Sequence, residues 1–315
     1  MMYNYCTLFN SNYLTRGLAM YESLKKNSEK FHLYIFAFDD RSYILLKKLN
    51  LEFTTIISLR EFENEDLLKI KGNRSVAEYC WTCTPYVVEY SIEKYKLGSC
   101  VYLDADLYFF SDPSILIKEM NSNSVLITEH RYTPKYDQTD TSGVYCVQFM
   151  VFKNDENGIK VLEWWRDACQ KWCYARFEDG KFGDQKYLDD WLERFEGVHV
   201  LQNLGGGVAP WNVQQYNLED KEFRLVFYHF HNFNFLEGDK VDFGYYKLTK
   251  SDVNILYKPY IKHLVNITFR LKKMNEIYDY NNILKKKDFN WKDLARSLKR
   301  KVKGVNNIYY KKDLL

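Results

Sequence analysis

The chain contains no run of about 18 or more apolar residues, so it offers no segment that could cross a membrane as a helix. Its first residues, Met-Met-Tyr-Asn-Tyr-Cys, lack the basic and apolar regions of a signal peptide. A cytosolic location with reduced thiols is therefore expected. Cysteine occurs but supplies no framework: the 7 cysteines, at 6, 80, 83, 100, 146, 169 and 173, are an odd count. Cys80-Trp-Thr-Cys83 could be half of a zinc site or a redox pair, but no second C-x-x-C follows and no thioredoxin-like pattern surrounds it. Ordinary buried thiols are expected. Glycine is missing where a phosphate loop would need it, because Leu8-Phe9-Asn10-Ser11-Asn12-Tyr13 has none. That absence counts against a sugar-phosphate nucleotidyltransferase. Gly205-Gly206-Gly207 matches neither a Walker loop nor a dinucleotide fingerprint, although three glycines permit a backbone to approach a ligand closely. No internal repeat is visible.

What is present is size, aromatic surface and uneven charge. The 315 residues suffice for one large domain with an extension, or for two domains. Aromatic residues make up 17% of the chain, enough to offer stacking surfaces for bases and sugar rings. Residues 258–315 hold 16 Lys/Arg against 5 Asp/Glu, a balance of +11, whereas residues 1–257 hold 29 against 37, or −8. An acidic body with a basic tail points to an anionic partner for the tail.

Asn4–Phe9 reads as a strand and Tyr13–Lys26 as a helix, on the spacing of Leu14, Leu18, Tyr21 and Leu24. Phe31–Phe38 reads as a strand, Ser42–Leu49 as a helix and Phe53–Ile57 as a short strand. This alternation predicts a parallel α/β sheet. Residues 61–79 read as loop or short helices, with a helix over Pro85–Tyr95 that has Pro85 at an early position. Arg131–Gly143 reads as a mobile loop, Val144–Phe152 as a strand and Ile159–Phe177 as a long helix.

The run Val101-Tyr-Leu-Asp104-Ala105-Asp106-Leu-Tyr-Phe-Phe110 places two carboxylates inside an apolar segment. In a strand they would share one face, with Ala105 turned away. Like charges so close need neutralising, and a divalent ion is the usual means. The plainer alternative is two solvated charges at a strand end. In Phe227-Tyr228-His229-Phe230-His231-Asn232 the two histidines would likewise share a face, and either could complete a metal site. Gly183-Asp184-Gln185-Lys186-Tyr187-Leu188 suits a helix start facing a pocket.

In this order the motifs resemble the GT-A glycosyltransferases, most closely those of glycosyltransferase family 8. The resemblance rests on Tyr102-Leu103-Asp104-Ala105-Asp106, Val147-Gln148-Phe149, Asp184-Gln185-Lys186-Tyr187-Leu188, Trp211-Asn212 and His229-Phe230, and covers roughly residues 3–235. It implies a GT-A, Rossmann-like catalytic domain over 1–245 and a basic, mainly helical extension over 246–315. It also implies Mn2+ or Mg2+ held by Asp104, Asp106 and His229, with Ala105 against the donor and His231 beside the donor phosphate or supporting His229. Thr7, Leu8, Asn10, Asn12 and Tyr13 would contact the base and ribose, with Asn10 where the family has Asp. Gln185 would face the sugar opposite the leaving group, and Asp184 would contact donor hydroxyls. The family's late Lys-Pro-Trp is absent, leaving Lys240 as a substitute for the phosphate-binding lysine. The implied reaction moves a hexose-type sugar from a nucleoside-diphosphate sugar, UDP being the expected nucleotide, with retention of configuration. The acceptor would be a saccharide or glycolipid of a bacterial surface glycan. The alternatives are a non-catalytic nucleotide-sugar-binding protein and the nucleotidyltransferase.

In Trp291–Val302, Trp291, Leu294, Ala295, Leu298 and Val302 fall on one helical face among basic residues. Such a helix would lie on an anionic membrane, at the inner face of the plasma membrane, the plainer alternative being a basic surface helix packed against the catalytic domain; no nucleic acid partner is expected.

Overall fold

The computed structural model describes residues 2–274, 278–284, 300, 305 and 307–315. In chain order the described strands are β1 (Tyr3–Phe9), β2 (Phe31–Ala37), β3 (Thr54–Ser58), β4 (Ser99–Leu103), β5 (Leu107–Phe109) and β6 (Val125–Glu129). They continue with β7 (Tyr145–Lys153), β8 (Val198–Val200), β9 (Phe227–His229), β10 (Asn234–Leu236), β11 (Lys240–Asp242) and β12 (Ile308–Tyr310). Seven form the central sheet in the order β3-β2-β1-β4-β7-β6-β8. β3, β2, β1 and β4 run parallel, as the alternation of strand and helix predicts, and β7 lies antiparallel between β4 and β6.

Both faces of this sheet are covered, which is why its central strands are apolar without alternation. One face packs on the helices Leu14–Asn27 and Lys258–Lys273. The other packs on Val76–Tyr95 and Glu156–Lys171. The first helix buries the predicted stripe of Leu14, Leu18, Tyr21 and Leu24.

The helix Val76–Tyr95 begins nine residues before Pro85 and corrects the expected start there. A capping box sets the true start: Ser75 accepts from the Glu78 amide and Glu78 reaches back to the Ser75 amide. Pro85 sits inside the helix, and residues 76–79 belong to the helix rather than a loop. Residues 131–143 contain two short helical turns, Pro134–Tyr136 and Thr139–Ser142. They are tied down by Lys186 Nζ on the Thr139 carbonyl and Gln185 Nε2 on the Ser142 carbonyl.

The three glycines face the chain itself. A Cβ on Gly205 would stand 1.9 Å from the Arg224 carbonyl oxygen, and Gly207 has φ +83°. The Gly205 carbonyl accepts from the amides of Val226 and Phe227. The close approach that these residues permit is therefore to the segment leading into β9.

The described residues after 245 pack on this body. Ile261, Leu264, Ile267 and Leu271 join the core beneath β1. Tyr260 stacks on Phe230 with ring centroids 3.7 Å apart. His263 bridges Glu22 at 2.7 Å and the Tyr108 hydroxyl at 3.0 Å. The strand β12 pairs with β11. The amphipathic stretch Trp291–Val302 lies outside the described residues, apart from Arg300, which pairs with Asp242 at 2.7 Å.

Candidate active site

Asp104-Ala105-Asp106 is a corner and not the expected strand interior. β4 ends at Leu103, and the Asp104 amide adds one last bond to the Gln148 carbonyl of β7 at 3.0 Å. The chain then turns, and β5 leaves the central sheet to pair antiparallel with β9, placing Leu107 opposite His229. The Asp106 carbonyl accepts from the Phe230 amide at 2.9 Å, locking the corner to the residue after His229. The two carboxylates converge because the corner folds them toward β9, not because a pleat aligns them.

One ligand atom from each of Asp104, Asp106 and His229 lies within 4.8 Å of the other two. His229 Nε2 stands 3.1 Å from Asp106 and 3.8 Å from Asp104. Its Nδ1 stands 2.9 Å from Gln148 Oε1, which can only accept. Nδ1 therefore carries a proton, and Nε2 is the nitrogen turned toward the carboxylates. Second partners of this kind fix the tautomer of metal-binding histidines. Asp104 is held in turn by the Tyr102 hydroxyl at 3.0 Å.

Electrostatics say what the cluster needs. Burial pushes Asp104 up to about 6, with the charge of Asp106 adding to it and His229 opposing. Burial works the same way on Asp106, but the adjoining His229 outweighs it and holds Asp106 near 2. Burial disfavours a charged His229, yet the two carboxylates raise it well above the usual histidine range. A proton on His229 thus compensates two part-buried acids. A divalent cation would replace that proton with more charge, so these residues fit one.

The corner forms part of the wall of a cavity of about 670 Å³. Leu8, Asn10, Asn12, Tyr13, Asp104, Ala105, Asp106, Asp184, Gln185, His229 and His231 all line it. Thr7 does not: it is fully buried, and its hydroxyl finds no partner among the described residues. Lys240 is in β11 over the Tyr310 ring and away from the cavity lining. No Lys or Arg lines the cavity among the described residues.

Asp184 is 6% exposed; burial and then the charge of Asp104 push it up to about 8. A carboxyl kept neutral near pH 7 can donate a hydrogen bond as well as accept one. Gln185 gives its amide nitrogen to the Ser142 carbonyl at 2.7 Å, which leaves its oxygen for a ligand. Burial, with the neighbouring His229, holds His231 down near 4. Trp211 sets its ring edge-on to both His229 and His231, each 5.4 Å away, and donates from Nε1 to the His130 carbonyl. Asn212 is fully buried and clamps the loop through the His130 and Gly207 carbonyls.

Sequence reasoning missed much of the aromatic wall. Trp81 and Cys80 come from the helix whose start was misplaced, and the Ser75-x-x-Glu78 capping box was the signal for it. Tyr132, Gln138 and Ser142 come from the segment read as a mobile loop, and Tyr246 and Asn282 from beyond 245. All seven cysteines are free thiols, as expected.

This fold is that of the GT-A glycosyltransferases. The galactosyltransferase LgtC, solved in complex with donor and acceptor sugar analogs, superposes with a TM-score of 0.52 at 10% identity, over 84% of this chain and 95% of LgtC. The bifunctional glycosyltransferase WbbM gives 0.55 at 11% identity, over 87% of this chain and 51% of WbbM. The chain belongs to the same family as the Bacillus subtilis protein YfnD, described as uncharacterized, with 30% identity over 275 residues, 83% of this chain and 88% of YfnD. No family model matches the chain.

Gln148→Leu should lower Mn2+ affinity about 10- to 100-fold by freeing the His229 ring, while leaving thermal stability close to the parent's. Calorimetric titration with Mn2+ measures it, and unchanged affinity would remove Gln148 from the site.

Proposed function

We propose that the protein is a metal-dependent glycosyltransferase of the family 8 type. It moves a hexose-type sugar from a nucleoside-diphosphate sugar, UDP being the favoured nucleotide, to a saccharide or lipid-linked acceptor in bacterial surface-glycan synthesis. The observation that carries this reading is the Asp104, Asp106 and His229 cluster in the wall of a large cavity within a GT-A fold.

In this reading Asp104, Asp106 and His229 hold Mn2+ or Mg2+, which when bound neutralises charge on the leaving diphosphate. Leu8, Asn10, Asn12 and Tyr13 take the nucleoside at one end of the cavity. Asp184, with its carboxyl pushed up to about 8, binds donor hydroxyls. Gln185, with its nitrogen fixed on Ser142, turns its oxygen toward the sugar face opposite the leaving group. Transfer proceeds with retention: the bond from the anomeric carbon to the diphosphate breaks, the leaving phosphate oxygen takes the acceptor hydroxyl's proton on the same face, and the acceptor oxygen forms the new glycosidic bond.

Release of nucleoside diphosphate from a panel of nucleotide sugars, with and without Mn2+, tests the activity. Asp104→Asn should reduce the rate by on the order of a hundredfold or more. Full Mn2+-dependent turnover by that variant would refute the assignment.

The basic tail directs the enzyme to an anionic membrane surface at the cytoplasmic face. Flotation with anionic liposomes should carry the full chain and not a chain ending at residue 289, and equal flotation of the two would refute it.

A further inference from the structure

Asn282 belongs to the C-terminal part of the chain, yet it lines the main cavity together with Asn10, Asn12 and Tyr13. The segment 278–282 that carries it is built with care. Asp279 accepts from the amides of Asn281 at 3.0 Å and Ile283 at 2.7 Å, closing a tight turn. Asn281 is 7% exposed, and its amide oxygen accepts from the Thr15 hydroxyl at 2.8 Å while its amide nitrogen donates to the Thr268 hydroxyl at 3.2 Å. Its carbonyl accepts from the buried Arg16 guanidinium at 3.2 Å, and the same guanidinium nitrogen reaches the Asn12 carbonyl at 3.5 Å. A buried amide makes such a network only when its place is fixed, because each unmade bond would cost the full desolvation of the group.

The fixed segment touches two cavities: Asn282 lines the main one, while Tyr278, Asp279, Tyr280 and Asn281 line a second of about 260 Å³. Tyr278 also reaches across to the loop after β1: its hydroxyl donates to Asn12 Oδ1 at 2.6 Å, and Arg41 lies 3.7 Å over its ring. The bond from Tyr278 fixes which way the Asn12 amide points, and its side-chain NH2 group makes no hydrogen bond among the described residues and stays available to a ligand. That suits the carbonyl of a base or the oxygens of a ribose.

The geometry points to residues 278–282 as the outer wall of the nucleoside end of the donor pocket. Asn282 contacts the nucleoside directly, and Tyr278 is a positioning residue that acts through Asn12. This inference rests on the cavity taking a nucleoside-diphosphate sugar. It adds that the C-terminal part of the chain completes the donor site from outside, so that nucleotide discrimination depends on residues more than two hundred positions after the first strand.

The test compares two probes in the full chain with Mn2+ present. UDP, GDP, ADP and CDP report the nucleoside end, and inorganic pyrophosphate reports the metal and diphosphate end alone. Tyr278→Phe and Asn282→Ala should each weaken the tightest nucleoside diphosphate about five- to tenfold, the loss of one hydrogen bond, with pyrophosphate affinity changed less than about twofold. Thermal melting checks that both variants fold. Equal weakening of both probes, or no weakening of either, would overturn the inference. A parent chain that binds none of the four more tightly than pyrophosphate would overturn the donor reading itself, and the inference with it.

Discussion

The site depends on the confinement of two carboxylates beside one imidazole. Withdrawing Asp104 and Asp106 partly from water, side by side, is unfavourable unless something compensates their charge. His229 supplies that compensation in the structure, at 3.1 Å from Asp106 and 3.8 Å from Asp104. The backbone is arranged around this contact. β4 ends one residue before the first aspartate, β5 leaves the sheet to pair with β9, and the amide of Phe230 fastens onto Asp106. Gln148, from the neighbouring strand, holds Nδ1 of the imidazole and so turns Nε2 toward the acids. A site that gathers these carboxylates with no Lys or Arg among its described lining residues fits a divalent ion.

The same corner shows what the sequence could and could not reveal. Two aspartates in an apolar run are conspicuous because they violate local patterning, and the ordered motifs around them identify the fold. Their convergence is not local. It follows from pairing between β5 and β9, which brings together residues more than 100 positions apart, so a strand pleat was the wrong reason for the right neighbours. Gln148 is likewise 81 residues from the histidine it orients, and nothing in Val147-Gln148-Phe149 announces that bond. The helix Val76–Tyr95 was legible but misread: proline is often an early helical residue, whereas here a capping box ten residues upstream wins and carries Trp81 to the cavity. The triple glycine shows freedom of close approach in the sequence, but only the structure shows that the close neighbour is the segment leading into β9.

The C-terminal part of the chain gains a second meaning from the structure. Its charge balance suggested only a surface role. The described portion is instead anchored through Tyr260 on Phe230, Leu264 in the core and Asn281 on Thr15 of the first helix, and reaches the cavity at Asn282. Packing and site construction share residues there: Thr15 and Arg16 follow directly on the loop that carries Asn12 and Tyr13, so their bonds to Asn281 hold both sides of one cavity rim.

Mn2+-edge anomalous scattering from crystals grown with Mn2+ and UDP measures the central claim most directly. A single strong peak bonded to Asp104, Asp106 and His229 Nε2, with the diphosphate on the same ion, is the predicted result. A metal bound elsewhere, or UDP in the cavity with no metal at these three residues, would contradict it.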